Sequence, residues 1–181
     1  MSGEDDVLRI VRALGAGSAL ENYIIPGVRS TLLAKSLDGG VVRVFDMSRD
    51  QEYDITPHDH RYDFECFVIS GSVTNRRYWS ASARKDDATH ARLQYDYQAK
   101  ALNEASANWF RAGYREEVFG IGEWYSMKSY EFHSIRFAKG SKILFIESPE
   151  IKKESYCLLP YHYGRICNTF IWRDWMMEFA P

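Results

Sequence analysis

The sequence predicts an all-β domain built as a sandwich or barrel. Three observations carry this. Short runs of β-forming composition recur along the chain, separated by glycine-bearing turns, a rhythm that suits sandwiches and barrels. Aromatic residues make up 15% of the chain, with 12 tyrosines and 5 tryptophans, and such side chains favour pleated surfaces and lined cavities over helical bundles. Leu37-Asp38-Gly39-Gly40 separates two apolar runs, and its glycines are free to take positive φ, a hairpin signal.

The elements follow in order. Val7, Ile10, Val11 and Leu14 fall at helical spacing and predict a short N-terminal helix stopped by Gly15. Strands are predicted over Arg29–Lys35 and Val41–Asp46, on either side of the turn, then over Tyr53–His60, Glu65–Ser70 and Ser72–Trp79. Ser80–Ala91 is polar and charged and reads as a loop. Arg92–Tyr97 resumes a strand, and Ala99–Trp109 reads as a loop or short helix. Gly113–Phe119, Trp124–Ser126, Tyr130–Phe137 and Lys142–Glu147 complete the strand pattern, with later strands at Tyr156–Leu159 and Ile166–Phe170. The aromatic tail Ile171–Phe179 predicts a last helix, with Trp172, Trp175, Met176 and Phe179 on one side.

The chain's 181 residues suit a single domain, residues 1–181, with its core over about 28–150. The stretch 80–109 reads as an insertion, a solvated loop in preference to a lid. A net charge of −2 gives no general attraction to nucleic acid or anionic membranes. The cluster Arg76, Arg77, Arg84 and Lys85 is offset by Asp86 and Asp87. No apolar run is long enough to span a bilayer, and Met1–Asp6 is unlike a signal peptide. Cys66, Cys157 and Cys167 lack metal-type spacing and read as reduced thiols of a cytoplasmic protein.

The chemistry concentrates in His58-Asp59-His60-Arg61-Tyr62-Asp63-Phe64-Glu65, with His133 downstream. Alternate residues of a strand share a face, so His58 and His60 aim their imidazoles at one point. Two neutral imidazoles, a third histidine and a carboxylate suit a borderline divalent metal. In Tyr130–Ile135, alternation buries Phe132 on one face and puts His133 on the other. The remaining histidines, His90 and His162, sit in polar contexts and read as surface residues.

These residues resemble the cupin superfamily. Its first motif, Gly-(x)5-His-x-His-(x)3 or 4-Glu-(x)6-Gly, is matched at His58, His60 and Gly71, with Glu52 in place of the opening glycine. Of its second motif, Gly122 and His133 match, while Lys128, Tyr130 and Phe137 replace a proline, a glycine and an asparagine. The resemblance covers roughly 28–150 and implies a double-stranded β-helix, the RmlC-like jelly-roll barrel, with one divalent metal inside: Fe(II) foremost, with Zn, Ni or Mn as others. It implies His58, His60 and His133 as ligands. The acidic position is divided. Counting from His60 gives Glu65, with Asp63 as rival. Counting back from Gly71 puts Phe64 inward and leaves three histidines with Glu65 as an outer partner.

The His58-Asp59-His60 opening is also similar to the thiol dioxygenases, cupins that bind Fe(II) through three histidines, and Ser148-Pro149 resembles their Ser-Pro. Glu147 stands where that family has its catalytic tyrosine. Such an enzyme needs a cation for the substrate carboxylate, for which Arg43 is the candidate, although a solvated strand face is its plainer reading. The expected function is an Fe(II)-dependent oxygenase (dioxygenase, an oxidoreductase) acting on a small molecule. The alternatives are a non-catalytic cupin that binds a small ligand or metal, and a metal-assisted isomerase or hydrolase with Glu65 or Asp63 as base. Cupins often pair as homodimers, and the tail Trp172–Phe179 is a candidate surface for that.

Overall fold

A computed structural model describes residues 19–21, 26–51, 54–96, 101–162 and 165–166. These residues form strands β1 (Ala19–Leu20), β2 (Val28–Lys35), β3 (Val41–Met47), β4 (Phe64–Ser70), β5 (Val73–Ser82), β6 (His90–Asp96), β7 (Ala101–Phe119), β8 (Trp124–Met127), β9 (Phe132–Phe137), β10 (Lys142–Glu147), β11 (Ser155–His162) and β12 (Arg165–Ile166). One sheet runs β1-β2-β3-β10-β4-β8 and the other β12-β11-β6-β7-β5-β9. Every described pairing is antiparallel. The all-β expectation holds. Among the described residues a single 3-10 turn, Lys85–Asp87, is the sole helical element, and no helix is long and apolar enough to cross a membrane. The expected helices at 7–14 and 171–179 lie outside the described residues, as does all but the first residue of the expected strand at 166–170.

Alternation sorts the chain into faces. From the first sheet Phe45, Met47, Phe64, Cys66, Val68, Ile143 and Phe145 point into one core, where they meet Val73, Ile135 and Phe137 of the second. Register enforces this. Ile143 lies opposite Phe45 on one side and Val68 on the other, so three strands present the same parity to the interior. The continuous apolar run of β4 has its own cause. Phe67 and Ile69 face outward but are buried with Val44, so both faces of that strand are covered.

Two expectations fail. Tyr53–His60 is not a regular strand. The described part makes two isolated bridges, both at His58, to His133 and to Cys157, so the segment is slotted between two strands of the second sheet. Pro57 has no N–H to extend a ladder, and offers its carbonyl to Leu158 N at 2.8 Å. Within the stretch 80–109 the expected strand at Arg92–Tyr97 is found as β6, but the expected loop or short helix at Ala99–Trp109 belongs to the 19-residue β7, and β5 runs on to Ser82 to form a ribbon with them. Its outer portion is exposed on both faces, so it lacks the apolar alternation that marks a half-buried strand.

Gly71 turns β4 into β5 at φ +71°. A Cβ there would lie 2.8 Å from Ser141 Cα and 3.0 Å from Ser141 N, backbone that cannot swing away. Gly122 has a similar φ of +83° but open space around it. Gly122→Ala should therefore cost about 1 kcal/mol for its left-handed backbone alone, and Gly71→Ala about 3 kcal/mol or more. Urea melts of both variants check this. Equal losses would show that Ser141 yields freely.

Candidate metal centre

Backbone exchange brings the histidines together. His58 N donates to His133 O, and His133 N to His58 O, both at 2.9 Å. This antiparallel bridge sets the two side chains side by side. Asp59 then anchors the segment from behind. Its N–H reaches Tyr156 O at 3.0 Å, its Oδ1 accepts from Tyr156 N at 2.6 Å, and its Oδ2 accepts from Lys152 Nζ at 2.5 Å. Asp59 is buried, and burial pushes its carboxyl above the usual range while Lys152 and the Tyr156 amide pull it back. With Asp59 turned to β11, its neighbours His58 and His60 turn to the interior.

The three rings form a cluster, with centroids 4.7 Å apart for His58 and His60, 5.0 Å for His58 and His133, and 5.1 Å for His60 and His133. One nitrogen from each lies within 4.8 Å of the others. Two of the rings have their outer nitrogen tied. His133 Nδ1 donates to Asn75 Oδ1 at 2.7 Å, and His58 Nδ1 donates to the Thr56 carbonyl at 2.8 Å. The Asn75 amide is oriented by its other end, where Nδ2 faces Glu117 Oε2 and Met127 Sδ, both acceptors. His58 and His133 therefore each turn a bare Nε2 lone pair inward, the pattern that fixes a ligating tautomer.

The contact between His60 Nε2 and His133 Nε2, at 2.9 Å, tests whether a metal fits. The lone pair of His133 faces it, so the approach is attractive either when His60 donates a proton or when one cation sits against both nitrogens. Ligands at about 2.0–2.1 Å from an ion and at right angles are about 3 Å apart. The donor set fits a borderline divalent ion.

Burial keeps the imidazoles neutral, the form a metal needs. It lowers His58 to about 4, and takes His60 and His133 well below the ordinary value, with repulsion from the neighbouring rings adding to it. The pocket around them has a volume of about 490 Å³ including its opening, with Phe45, Ile55, Phe64, Ile135, Phe137 and Phe145 among its walls.

The other predicted residues lie elsewhere. Glu65 is exposed on the outer face of β4, because its neighbours Phe64 and Cys66 take the inward positions. Its candidacy as a ligand is corrected accordingly. Asp63 caps Ser129 N with Oδ1 and holds Lys128 Nζ with Oδ2, both at 2.8 Å, and the Lys128 contact holds its carboxyl low. Arg43 shares the inward parity of Phe45 but is paired with Glu147 at 3.1 Å. His90 is half-buried beside Thr89, and His162 is exposed. Sequence reading missed Asn75. Its signal was a polar residue two places after Val73, in step with the core-facing positions of its strand. Tyr125 and Cys66, which also line the pocket, were missed for the same reason: inward parity was not followed strand by strand.

No family model matches the chain, and no curated protein matches it. Solved structures do. Hydroxypropylphosphonic acid epoxidase from S. wedmorenis aligns at TM-score 0.47 and 14% identity, over 72% of this chain and 55% of the epoxidase. KdgF from Halomonas sp. aligns at 0.42 and 12%, over 74% and 88%. An RmlC-like cupin from Shewanella frigidimarina aligns at 0.43 and 10%, over 69% and 78%. The chain spans about half the length of the epoxidase.

The buried neutral histidines make stability pH-dependent. Their folded pKa values lie below the unfolded value of 6.5, so between the two the unfolded chain binds more protons. Stability of metal-free protein is then full above about pH 6.5 and is lost as pH falls through that window towards 4. His58 alone, at about 4 when folded, should cost about 2 kcal/mol between pH 7.5 and pH 5. A urea midpoint that stays constant over that range would contradict the burial of neutral rings.

Proposed function

We propose that the protein is a metal-binding cupin in which His58, His60 and His133 hold one divalent ion, Fe(II) in this reading, and that it acts as an oxygenase on a small molecule. One observation carries the metal reading: three imidazoles converge in an apolar pocket with the outer nitrogens of His58 and His133 already committed to Thr56 and Asn75. Three protein ligands leave room in an octahedral shell for substrate and dioxygen. Iron(II) held there would supply the redox chemistry with dioxygen, the oxidised substrate being the net source of electrons.

The chain's own residues supply the remainder. Asn75 and Thr56 hold the tautomers. The Asp59–Lys152 pair, buried behind the bridge, fixes the spacing of His58 and His60. The phenylalanine wall limits water around the reacting groups, which strengthens every polar interaction inside.

Metal analysis of protein purified without an affinity tag should find about one equivalent, with iron the main element. Replacing any one of His58, His60 or His133 by alanine should strip most of it, since three neutral ligands leave little reserve. Glu65→Gln should leave metal content unchanged. Stoichiometric metal in the triple-alanine protein would refute the site. Tightly held zinc or nickel in place of iron would turn the reading to a binding protein or a metal-assisted isomerase or hydrolase.

Asn75→Ala frees the His133 ring to rotate and to change tautomer. Metal affinity should fall about 10- to 100-fold while the fold is kept. A competition titration against a chelator measures this, and an unchanged constant would show that Asn75 does not orient the ligand.

A further inference from the structure

The pocket's lining is as informative as its histidines. Beyond the triad its walls are phenylalanine and isoleucine, relieved by three uncharged polar groups, Tyr62, Cys66 and Tyr125. Among the described residues no lysine, arginine, aspartate or glutamate lines it. Charged side chains around the barrel are turned to one another: Arg43 to Glu147, Lys152 to Asp59, and Arg77 to Glu117 and Glu131.

Tyr125 is the polar group left over. It is 6% exposed, and its hydroxyl is buried without a hydrogen-bond partner. Its polar neighbour is the Cys66 thiol, a weak one, and burial keeps both groups protonated. A buried O–H donor on the wall of a pocket, with only a thiol beside it as acceptor, is a place for a ligand's stronger acceptor. A second charge on a ligand would meet the opposite situation. It would lose its hydration against this wall and find no counter-charge.

We infer that the pocket takes a small molecule with one metal-binding head, an apolar body and one further uncharged acceptor aimed at Tyr125. Molecules with a second charged group, such as amino acids, dicarboxylates and sugar bisphosphates, are excluded. The head's place rests on the metal site proposed above, whereas the body's selectivity rests on the wall alone.

Benzoate and terephthalate share a head and differ by a carboxylate at the far end, so calorimetric titration of the full chain as purified separates them. Benzoate should bind at least tenfold more tightly. Equal binding, tighter binding of terephthalate, or no binding of either to protein folded by circular dichroism would overturn the inference. Metal content is measured on the same sample. Absence of metal with the ranking intact would refute the metal site and the place of the head, and leave the wall's selectivity standing. Tyr125→Phe should weaken 4-acetylbenzoate, whose ketone accepts the hydrogen bond, about three- to tenfold more than it weakens benzoate. An equal effect on both probes would remove Tyr125 from the site.

Discussion

The backbone bridge between His58 and His133 is the constraint on which the rest depends. The two residues stand 75 positions apart, and their paired N–H···O=C bonds make them neighbours. The bridge also slots the histidine segment between β9 and β11, where Asp59 is gripped by the Tyr156 amide and Lys152. The grip is on the side opposite the pocket. Holding the middle residue of a His-x-His from behind is what gives both flanking rings a common direction, with no regular strand needed to do so.

The second organising effect is the separation of charge from the interior. The pocket side of the sheets is apolar with uncharged polar groups, while ionised groups pair at its edges and outside. Arg76 and Arg136 share Asp54, and Arg77 spans Glu117 and Glu131. Pairs of this kind, where part-exposed, contribute little to stability. Their consequence here is electrostatic. A pocket lined, among the described residues, by no ionised side chain is one in which imidazoles stay neutral and in which a bound cation, once present, would dominate the local field. Neutral ligands and the absence, among the described lining residues, of counter-charge for a second ionised group both follow from that one separation.

Much of this was legible in the chain. The glycine turn at Leu37–Gly40, the strands β2, β3, β9 and β10, and the parity of His58 with His60 all appear in the structure, because strand composition and turn chemistry are local properties. The outer part of the β5–β7 ribbon, over residues 101–112, was not legible. A strand whose two faces are both wet carries no alternation to read, and its existence is decided by the pairing partner. The acidic position at Glu65 divided two ways of counting because a motif count ignores which face a residue takes. Parity from Gly71 placed Phe64 inward, and the structure agrees.

The sequence by itself determined the fold class and nominated three histidines, since both depend on residue type and short-range spacing. Tertiary structure decided the rest. Which side of β4 faces the cavity is set by the registers of β10 and β8 on either side. Which nitrogen of His133 is bare is set by Asn75, 58 residues earlier in the chain. Whether Arg43 is available to a ligand is set by Glu147, 104 residues later. Each of these is a pairing between distant segments, and the energy that selects it exists only once the sheets have closed over a common core.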